Sequence, residues 1–169
     1  MIRLATLNDL SQINDIYNYA IDTRMATADL EYLTISERVK WFENHNNNKY
    51  PIFVYEKNNH VAAWLSVSPY RENRKALINV VEISYYVHKN FFRQGIAQEL
   101  IKFIIDNSER YGIKIIICIL LEINTPSIKL LEKLGFEKWA NLPNIVNLEN
   151  LVCSHLYYGL VISKYHNNF

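Results

Sequence analysis

This chain contains few cysteines and carries almost no net charge. Its two cysteines, Cys118 and Cys153, fit neither a metal-ligand spacing nor a disulfide framework, so we interpret them as reduced packing residues and expect no metal site. The 18 Lys and Arg residues nearly balance the 17 Asp and Glu residues, and the formal charge of +1 argues against nucleic-acid or anionic-membrane partners. No apolar run reaches the ~18 residues of a membrane span, and Asn8 and Asp9 come too early for a signal sequence. We therefore expect a cytoplasmic protein.

Glycine is rare too, and none of the four glycines belongs to a G-x-G-x-x-G dinucleotide fingerprint or to a P-loop ending in Gly-Lys-Ser/Thr. One of them lies in the stretch Phe92-Arg93-Gln94-Gly95-Ile96-Ala97, between a strand-like run (Val80 to Val87) and a helix-like run (Gln98 to Arg110). A glycine-bearing turn before a helix leaves several backbone N–H groups unpaired and pointing the same way. The stretch therefore predicts a cradle for the phosphate of some other cofactor.

Hydrophobic residues make up 50% of the 169-residue chain, which is enough for the core of one domain spanning residues 1–169. Periodicity and capping patterns predict mixed α/β structure without repeats or linkers. The predicted strands are 2–5, 52–56, 61–68, 78–87, 113–121 and 156–162, with a further strand region from 136. The predicted helices start at capping boxes at 9–12 and 34–37, after the cradle, and at Pro126 under a Thr125 cap. We expect irregular connections at 23–33 and 141–150.

The order of these elements resembles the GCN5-related N-acetyltransferase (GNAT) superfamily over nearly the whole chain. That superfamily seats a pyrophosphate on a Q/R-x-x-G-x-G/A turn; Gly95 and Ala97 match its fourth and sixth positions, whereas Phe92 departs from its first. Five further motifs resemble the phosphinothricin acetyltransferase branch: Tyr50-Pro51, Ser68-Pro69-Tyr70-Arg71, Val81-Glu82-Ile83-Ser84, Asn124-Thr125-Pro126-Ser127 and Leu134-Gly135-Phe136-Glu137.

The resemblance implies a GNAT fold, with a central, mixed, mostly antiparallel sheet and helices on both faces. It implies acetyl-CoA as cofactor, and direct transfer of the acetyl group, in a ternary complex, to the primary amine of a small amino-acid-like molecule of the phosphinothricin or methionine sulfoximine type. It also makes a homodimer an expectation. Two alternatives stay open: another amine (a polyamine, an antibiotic or a protein), or an acyl-CoA-binding module that has lost efficient turnover.

Glu82 is the candidate general base. An alkyl ammonium with a pKa of ~10 must lose a proton before it attacks a thioester, which costs ~4 kcal/mol near neutral pH. Strand alternation puts Glu82, Ser84 and Tyr86 on one face of a largely apolar strand, and burial would raise the pKa of Glu82 toward the working pH. In the resembled branch the glutamate at this position is assigned the role of base. The alternative is a glutamate that faces solvent or pairs with an arginine such as Arg3, Arg71 or Arg74.

The resemblance also implies a set of cofactor-binding residues. Main-chain groups around Tyr86, Val87 and His88 would pair with the pantetheine arm, and Asn124 and Ser127 would contribute from the start of the following helix. The pyrophosphate would accept hydrogen bonds from the main chain of Arg93, Gln94, Gly95, Ile96 and Ala97. For Arg93 the alternative is a solvated surface position, and for Asn124 and Ser127 it is an ordinary role in starting a helix.

Two departures from the branch concern the acceptor and the acid. Relatives commonly place a Tyr or His where this chain has Leu131, so water or a tyrosine elsewhere (Tyr70, Tyr85 or Tyr86) would have to protonate the leaving thiolate. The segment 147–155 lacks the Gly-x-Lys-x-Gly-x-Trp-x-Asp-like pattern of the branch, and His155 there is more easily understood as structural.

Overall fold

A computed structural model describes residues 1–163 and 165; the predicted domain also includes residues 164 and 166–169, which lie outside the described part. The strands are β1 (Ile2–Leu4), β2 (Ile52–Lys57), β3 (His60–Pro69), β4 (Val80–Val87), β5 (Ile115–Leu121), β6 (Glu137–Asn147) and β7 (Val152–Val161). The helices are α1 (Leu10–Asp22), α2 (Ile35–Glu43), α3 (Ile96–Asp106) and α4 (Thr125–Lys133). Within the described residues, every helix is too short or too polar to cross a membrane.

The seven strands form one sheet in the order β1-β2-β3-β4-β5-β7-β6. All neighbours are antiparallel except β4 and β5, which are parallel. Two apolar clusters cover the sheet from opposite sides: one contains Leu100 and Ile104 of α3 with Leu131 of α4, and the other contains Ile13 of α1 with Trp64 of β3. The expected fold class, a mostly antiparallel sheet between helices, is confirmed.

Local signals predicted the helix starts well, but two predicted caps are wrong. The capping box at 9–12 does not form: Asp9 precedes α1 without a side-chain cap hydrogen bond to it, and the Gln12 side-chain oxygen accepts from the Val61 N–H at 2.9 Å. Thr34 caps α2 through a capping box, in which its hydroxyl accepts from the Glu37 N–H at 3.3 Å and the Glu37 carboxylate accepts from the Thr34 N–H at 2.8 Å. The predicted Thr125 cap of α4 is wrong. Asn124 is the cap, with its side-chain oxygen 3.3 Å from the Ser127 nitrogen, and Thr125 is already the first helical residue.

The loop predicted at 141–150 is also wrong, because β6 continues to Asn147 before turning into β7. The physical reason is the position of β6 at the edge of the sheet, where all of its residues except Val146 are exposed. A strand with two exposed faces has no need of apolar alternation, so its sequence resembles a polar loop.

Candidate active site

The most open part of the sheet lies between its two parallel strands. The parallel pairing covers only Val80–Glu82 of β4 and 115–117 of β5, and beyond those residues the strands separate. A cavity of about 410 Å³ fills the gap, lined by β4, β5, the end of α1 and the segment that follows it, the cradle, the first turn of α3 and the first two turns of α4. A split at the end of a parallel strand pair is a common location for a ligand, because main-chain groups there have no sheet partner.

The register of β4 determines which main-chain groups face this gap. His88 donates its N–H to the Ala62 carbonyl of the β3 side at 2.8 Å, and Tyr86 lies opposite Trp64 in the same ladder. Hydrogen-bonded positions alternate along an antiparallel pair, so Tyr86 and His88 turn their main-chain groups toward β3. The main chain of Tyr85 and Val87 therefore faces the cavity. Of the three residues predicted from the sequence, Val87 faces the cavity with its main chain, whereas Tyr86 and His88 face β3; Tyr85, which the sequence does not single out for this role, also faces the cavity.

The predicted phosphate cradle forms at the start of α3. Gly95 caps the helix with a φ of +79°, and a side chain added there would point into open space. In the described part of the chain, the N–H groups from Arg93 to Gln98 donate to no protein acceptor; the first helical bond beyond them runs from the Glu99 N–H to the Gly95 carbonyl at 3.0 Å. Six free donors at a helix N-terminus suit a pyrophosphate.

The side chains of the cradle have different roles. Arg93 and Ala97 line the cavity, whereas Ile96 is buried in the core. The Gln94 side chain is held outside the cavity, where its oxygen accepts from the Lys57 ammonium at 2.8 Å and its nitrogen donates to the Asn90 carbonyl. The cradle therefore offers an anion mainly its backbone.

Glu82 is the last residue of β4 that pairs with β5, and its side chain is on the same face of the sheet as that of Tyr86. Burial raises the pKa of its carboxyl above the ordinary value, and the positive charge of Arg71 offsets part of that rise. In the described residues Glu82 forms no ion pair, and Arg3 is bound to Asp9 at 2.8 Å and to Glu56 at 2.6 Å. A half-buried carboxylate with a raised pKa has the properties of a general base.

Comparison with known proteins identifies the family to which this site belongs. The profile of the family described as "Acetyltransferase (GNAT) family" matches residues 13–136. The chain belongs to the GNAT family of acetyltransferases. It is therefore an acyltransferase that uses acetyl-CoA, and the resemblance found in the sequence is confirmed.

Individual relatives extend the family match over most of the chain. A candidate phosphinothricin acetyltransferase of Bacillus subtilis (strain 168) is 34% identical over 149 residues, covering 88% of this chain and 90% of the relative. The L-methionine sulfoximine/L-methionine sulfone acetyltransferase of Salmonella typhimurium is 29% identical over 144 residues, which cover 85% of this chain and 84% of the relative. A candidate Salmonella typhimurium acetyltransferase, solved with its cofactor acetyl-CoA, superimposes with a TM-score of 0.89 at 26% identity. The superposition covers 96% of this chain and 93% of that protein.

In this GNAT protein, Tyr85 is a candidate proton donor in the wall of the cavity next to α4. Leu131 is fully buried in this wall, and its side chain has no proton to donate. Tyr85 projects into the same region from β4; its hydroxyl is buried and, among the described residues, makes no well-formed hydrogen bond. Ser127 is close enough to the Tyr85 hydroxyl to affect its pKa, which burial raises strongly.

Asn124 and Ser127 line the cavity while also starting α4. The Asn124 oxygen is used as the helix cap, so the structural interpretation of this residue holds for the oxygen. Its amide nitrogen has no partner among the described residues and remains free to donate to a ligand. Phe92, the irregular position of the motif, is half exposed and packs against Tyr19 with ring centroids 6.3 Å apart, also at the cavity.

Proposed function

We propose that this GNAT enzyme acetylates the primary amine of a small amino-acid-like molecule by direct transfer from acetyl-CoA within a ternary complex. The observation that carries the proposal is the cavity in the β4–β5 gap, which residues of the cradle line. Glu82 does not itself line the cavity, but its charge acts on the thiol of Cys118, which does. The named substrates of its relatives, phosphinothricin and methionine sulfoximine, supply the substrate class.

The acceptor side of the site rests on two charged groups. Glu82 accepts a proton from the substrate ammonium, which makes the amine nucleophilic. Arg71 lies near enough to Glu82 to affect its pKa and is exposed, stacking on the Tyr70 ring at 5.3 Å. An amino acid carries an ammonium and a carboxylate, so a carboxylate and a guanidinium that lie within electrostatic reach of each other suit both of its ends.

The donor side uses the main chain. Residues 93–97 would hold the pyrophosphate of acetyl-CoA, and the free groups of Tyr85 and Val87 would pair with its arm. Acetyl-CoA supplies the activated acetyl group as a thioester. A main-chain N–H of β4 directed into the gap would stabilise the oxyanion that forms when the amine attacks. Asn124 contributes its amide nitrogen, and Ser127 its hydroxyl.

Tyr85 is proposed as the proton donor to the leaving thiolate, in place of the tyrosine or histidine that Leu131 replaces. The Tyr85→Phe variant should lose about tenfold in kcat near pH 7, because the thiolate lies only ~1.5 pKa units from protonation there. Above about pH 8.5 a free thiolate is stable, so the difference from wild type should narrow. A rate against pH profile measures both effects. An equal loss at every pH would mean that Tyr85 acts by packing alone.

An acceptor panel tests the proposed function. Purified protein with acetyl-CoA should release free thiol in the presence of methionine sulfoximine or phosphinothricin, and mass spectrometry should find one acetyl group on the amine. Acetylation of only polyamines, aminoglycosides or protein amines would overturn the substrate class. Thermal stabilisation by CoA without thiol release for any amine would favour the acyl-CoA-binding module, which Leu131 and the altered segment 147–155 support.

We also propose that residues 1–169 act as one domain, in a homodimer and in the cytoplasm. The two free, buried thiols, Cys118 and Cys153, suit a reducing compartment. The support for a dimer is the exposed edge formed by β6 and the start of β7. There Trp139, Ile145, Leu151 and Val152 are 43–58% exposed, and such an edge favours association.

Light scattering should give a mass near twice 20.0 kDa for the native chain. Ile145→Asp, which puts a charge at the most exposed apolar side chain of that edge, should give the mass of one chain. If the native protein is monomeric at micromolar concentration, the dimer proposal is wrong.

A further inference from the structure

His45 and Ser68 form a polar pair next to Glu82, because Ser68 lies opposite Glu82 in the β3–β4 ladder. His45 follows the end of α2 and stacks on Trp41, with ring centroids 4.8 Å apart. Its Nδ1 lies 2.7 Å from the Trp41 carbonyl oxygen, and its Nε2 lies 3.2 Å from the Ser68 hydroxyl oxygen. The contact between His45 and Ser68 joins residues 23 positions apart, and nothing in the family motifs requires it.

The Trp41 carbonyl determines the direction of these hydrogen bonds. A carbonyl oxygen only accepts, so Nδ1 of His45 must carry a proton. Burial lowers the pKa of His45, and this effect, together with the positive charge of Arg38, outweighs the hydrogen bond to the Trp41 carbonyl, which raises the pKa. The net shift is downward, so the ring is neutral at neutral pH. The Nε2 atom of a neutral ring protonated at Nδ1 is an acceptor, and it therefore takes the only proton of the Ser68 hydroxyl.

Ser68 is directly opposite Glu82 in the antiparallel β3–β4 pair. Residues that face each other in this way have their side chains on the same side of the sheet, with Cβ atoms about 4.5–5.5 Å apart. Since the Ser68 proton is directed to His45, only oxygen lone pairs are left toward Glu82. A lone pair can accept a hydrogen bond from a protonated carboxyl, but it offers nothing to a carboxylate.

We propose that His45 and Ser68 are positioning residues for Glu82: His45 orients the Ser68 hydroxyl so that it supports the protonated carboxyl that forms when Glu82 accepts the substrate proton. This inference rests on the proposed role of Glu82 as base. Without His45 the Ser68 hydroxyl would turn and donate to the Glu82 carboxylate, which would make Glu82 a weaker base. Among the described residues, the positive charge of Arg71 also acts on the pKa of Glu82, and the Glu82 charge in turn helps to raise the pKa of the buried Cys118 thiol on β5.

Two substitutions of His45 separate this role from simple packing. His45→Gln keeps an acceptor oxygen near the position of Nε2, whereas His45→Leu has none, and both remove the titratable ring. The test is a ¹³C NMR titration of the Glu82 carboxyl in the free protein, assigned with Glu82→Gln. The Glu82 pKa should fall by about one unit in His45→Leu, as one hydrogen bond to an ionised group produces, and should stay near the wild-type value in His45→Gln.

A third variant locates the effect on the serine. In a Ser68→Ala background, His45→Leu and His45→Gln should give the same Glu82 titration, because no hydroxyl is left to turn. Equal titration of Glu82 in wild type and His45→Leu, or equal shifts in His45→Leu and His45→Gln, would overturn the proposal. The acid limb of kcat/KM should move with the NMR value. The titration needs no acceptor substrate. If the protein acetylated no amine, the proposed function would be refuted, but the titration would still decide whether His45 and Ser68 act on the pKa of Glu82.

Discussion

Replacing Glu82 with glutamine should lower kcat by about 10²- to 10⁴-fold, the usual contribution of a positioned general base. The amide has nearly the same shape as the carboxyl but cannot accept the proton of the substrate ammonium, whose removal costs ~4 kcal/mol near pH 7. Steady-state thiol release with a methionine sulfoximine acceptor measures the loss. CoA affinity should stay unchanged, since Glu82 lies near the start of β4 and the cradle follows the opposite end of that strand.

The same variant should be more stable than wild type at pH 7. Burial raises the pKa of Glu82 in the folded protein above its unfolded value, so the unfolded chain loses this proton first as the pH rises. The stability that the protonated carboxyl contributes is complete below the unfolded pKa and is lost as the pH rises through the folded pKa. The Tm advantage of Glu82→Gln should therefore shrink toward pH 4. Glu72→Gln, an exposed change of the same charge, should alter neither Tm nor kcat. Full activity in Glu82→Gln would show that another group is the base.

Gly95→Ala should weaken CoA binding by about 10- to 100-fold, the effect of losing one hydrogen bond to a charged group. The added methyl group would point into the open space in front of the cradle, which the pyrophosphate needs. The left-handed φ of +79° also strains any residue with a side chain, by about 1–2 kcal/mol. Isothermal titration calorimetry with CoA measures the affinity, and thermal unfolding measures the strain.

Gly112→Ala is a matched control for this experiment. Gly112 has a φ of +65°, and a side chain there would also meet only open space, but it lies in the turn that follows α3, far along the chain from the cradle. Its alanine variant should lose similar stability and bind CoA as wild type does. If Gly95→Ala kept the wild-type affinity, the free N–H groups of the cradle would not be the pyrophosphate site.

Sequence reasoning succeeded where short-range chemistry decides the structure. The capping box of Thr34 and Glu37 and the glycine turn at Gly95 are complete within a few residues, so their signals can be read directly. It failed at β6, because an edge strand exposed on both faces lacks the alternation that marks a strand. It also placed the α4 cap one residue late, since Asn124 and Thr125 are both acceptable caps and only the path of the chain selects between them.

The orientation of polar groups within the candidate site could not be predicted from the sequence for a different reason. The main-chain groups that face the gap belong to Tyr85 and Val87 because of the hydrogen-bond register between β3 and β4, and a single strand's sequence carries no information about that register. The contact between His45 and Ser68 likewise depends on how α2 packs against β3. The residue types at such a site are visible in the sequence, but the direction of their hydrogen bonds is a property of the folded chain.

A crystal structure of the complex with CoA tests the central claim most directly, because the whole account depends on the β4–β5 gap as the cofactor site. We predict pyrophosphate oxygens within hydrogen-bond distance of the N–H groups of residues 93–97. We also predict an arm paired with the main chain of Tyr85 and Val87, and a thiol between Tyr85 and Glu82. CoA bound outside the gap, or bound in it with the N–H groups of 93–97 still free, would contradict the account.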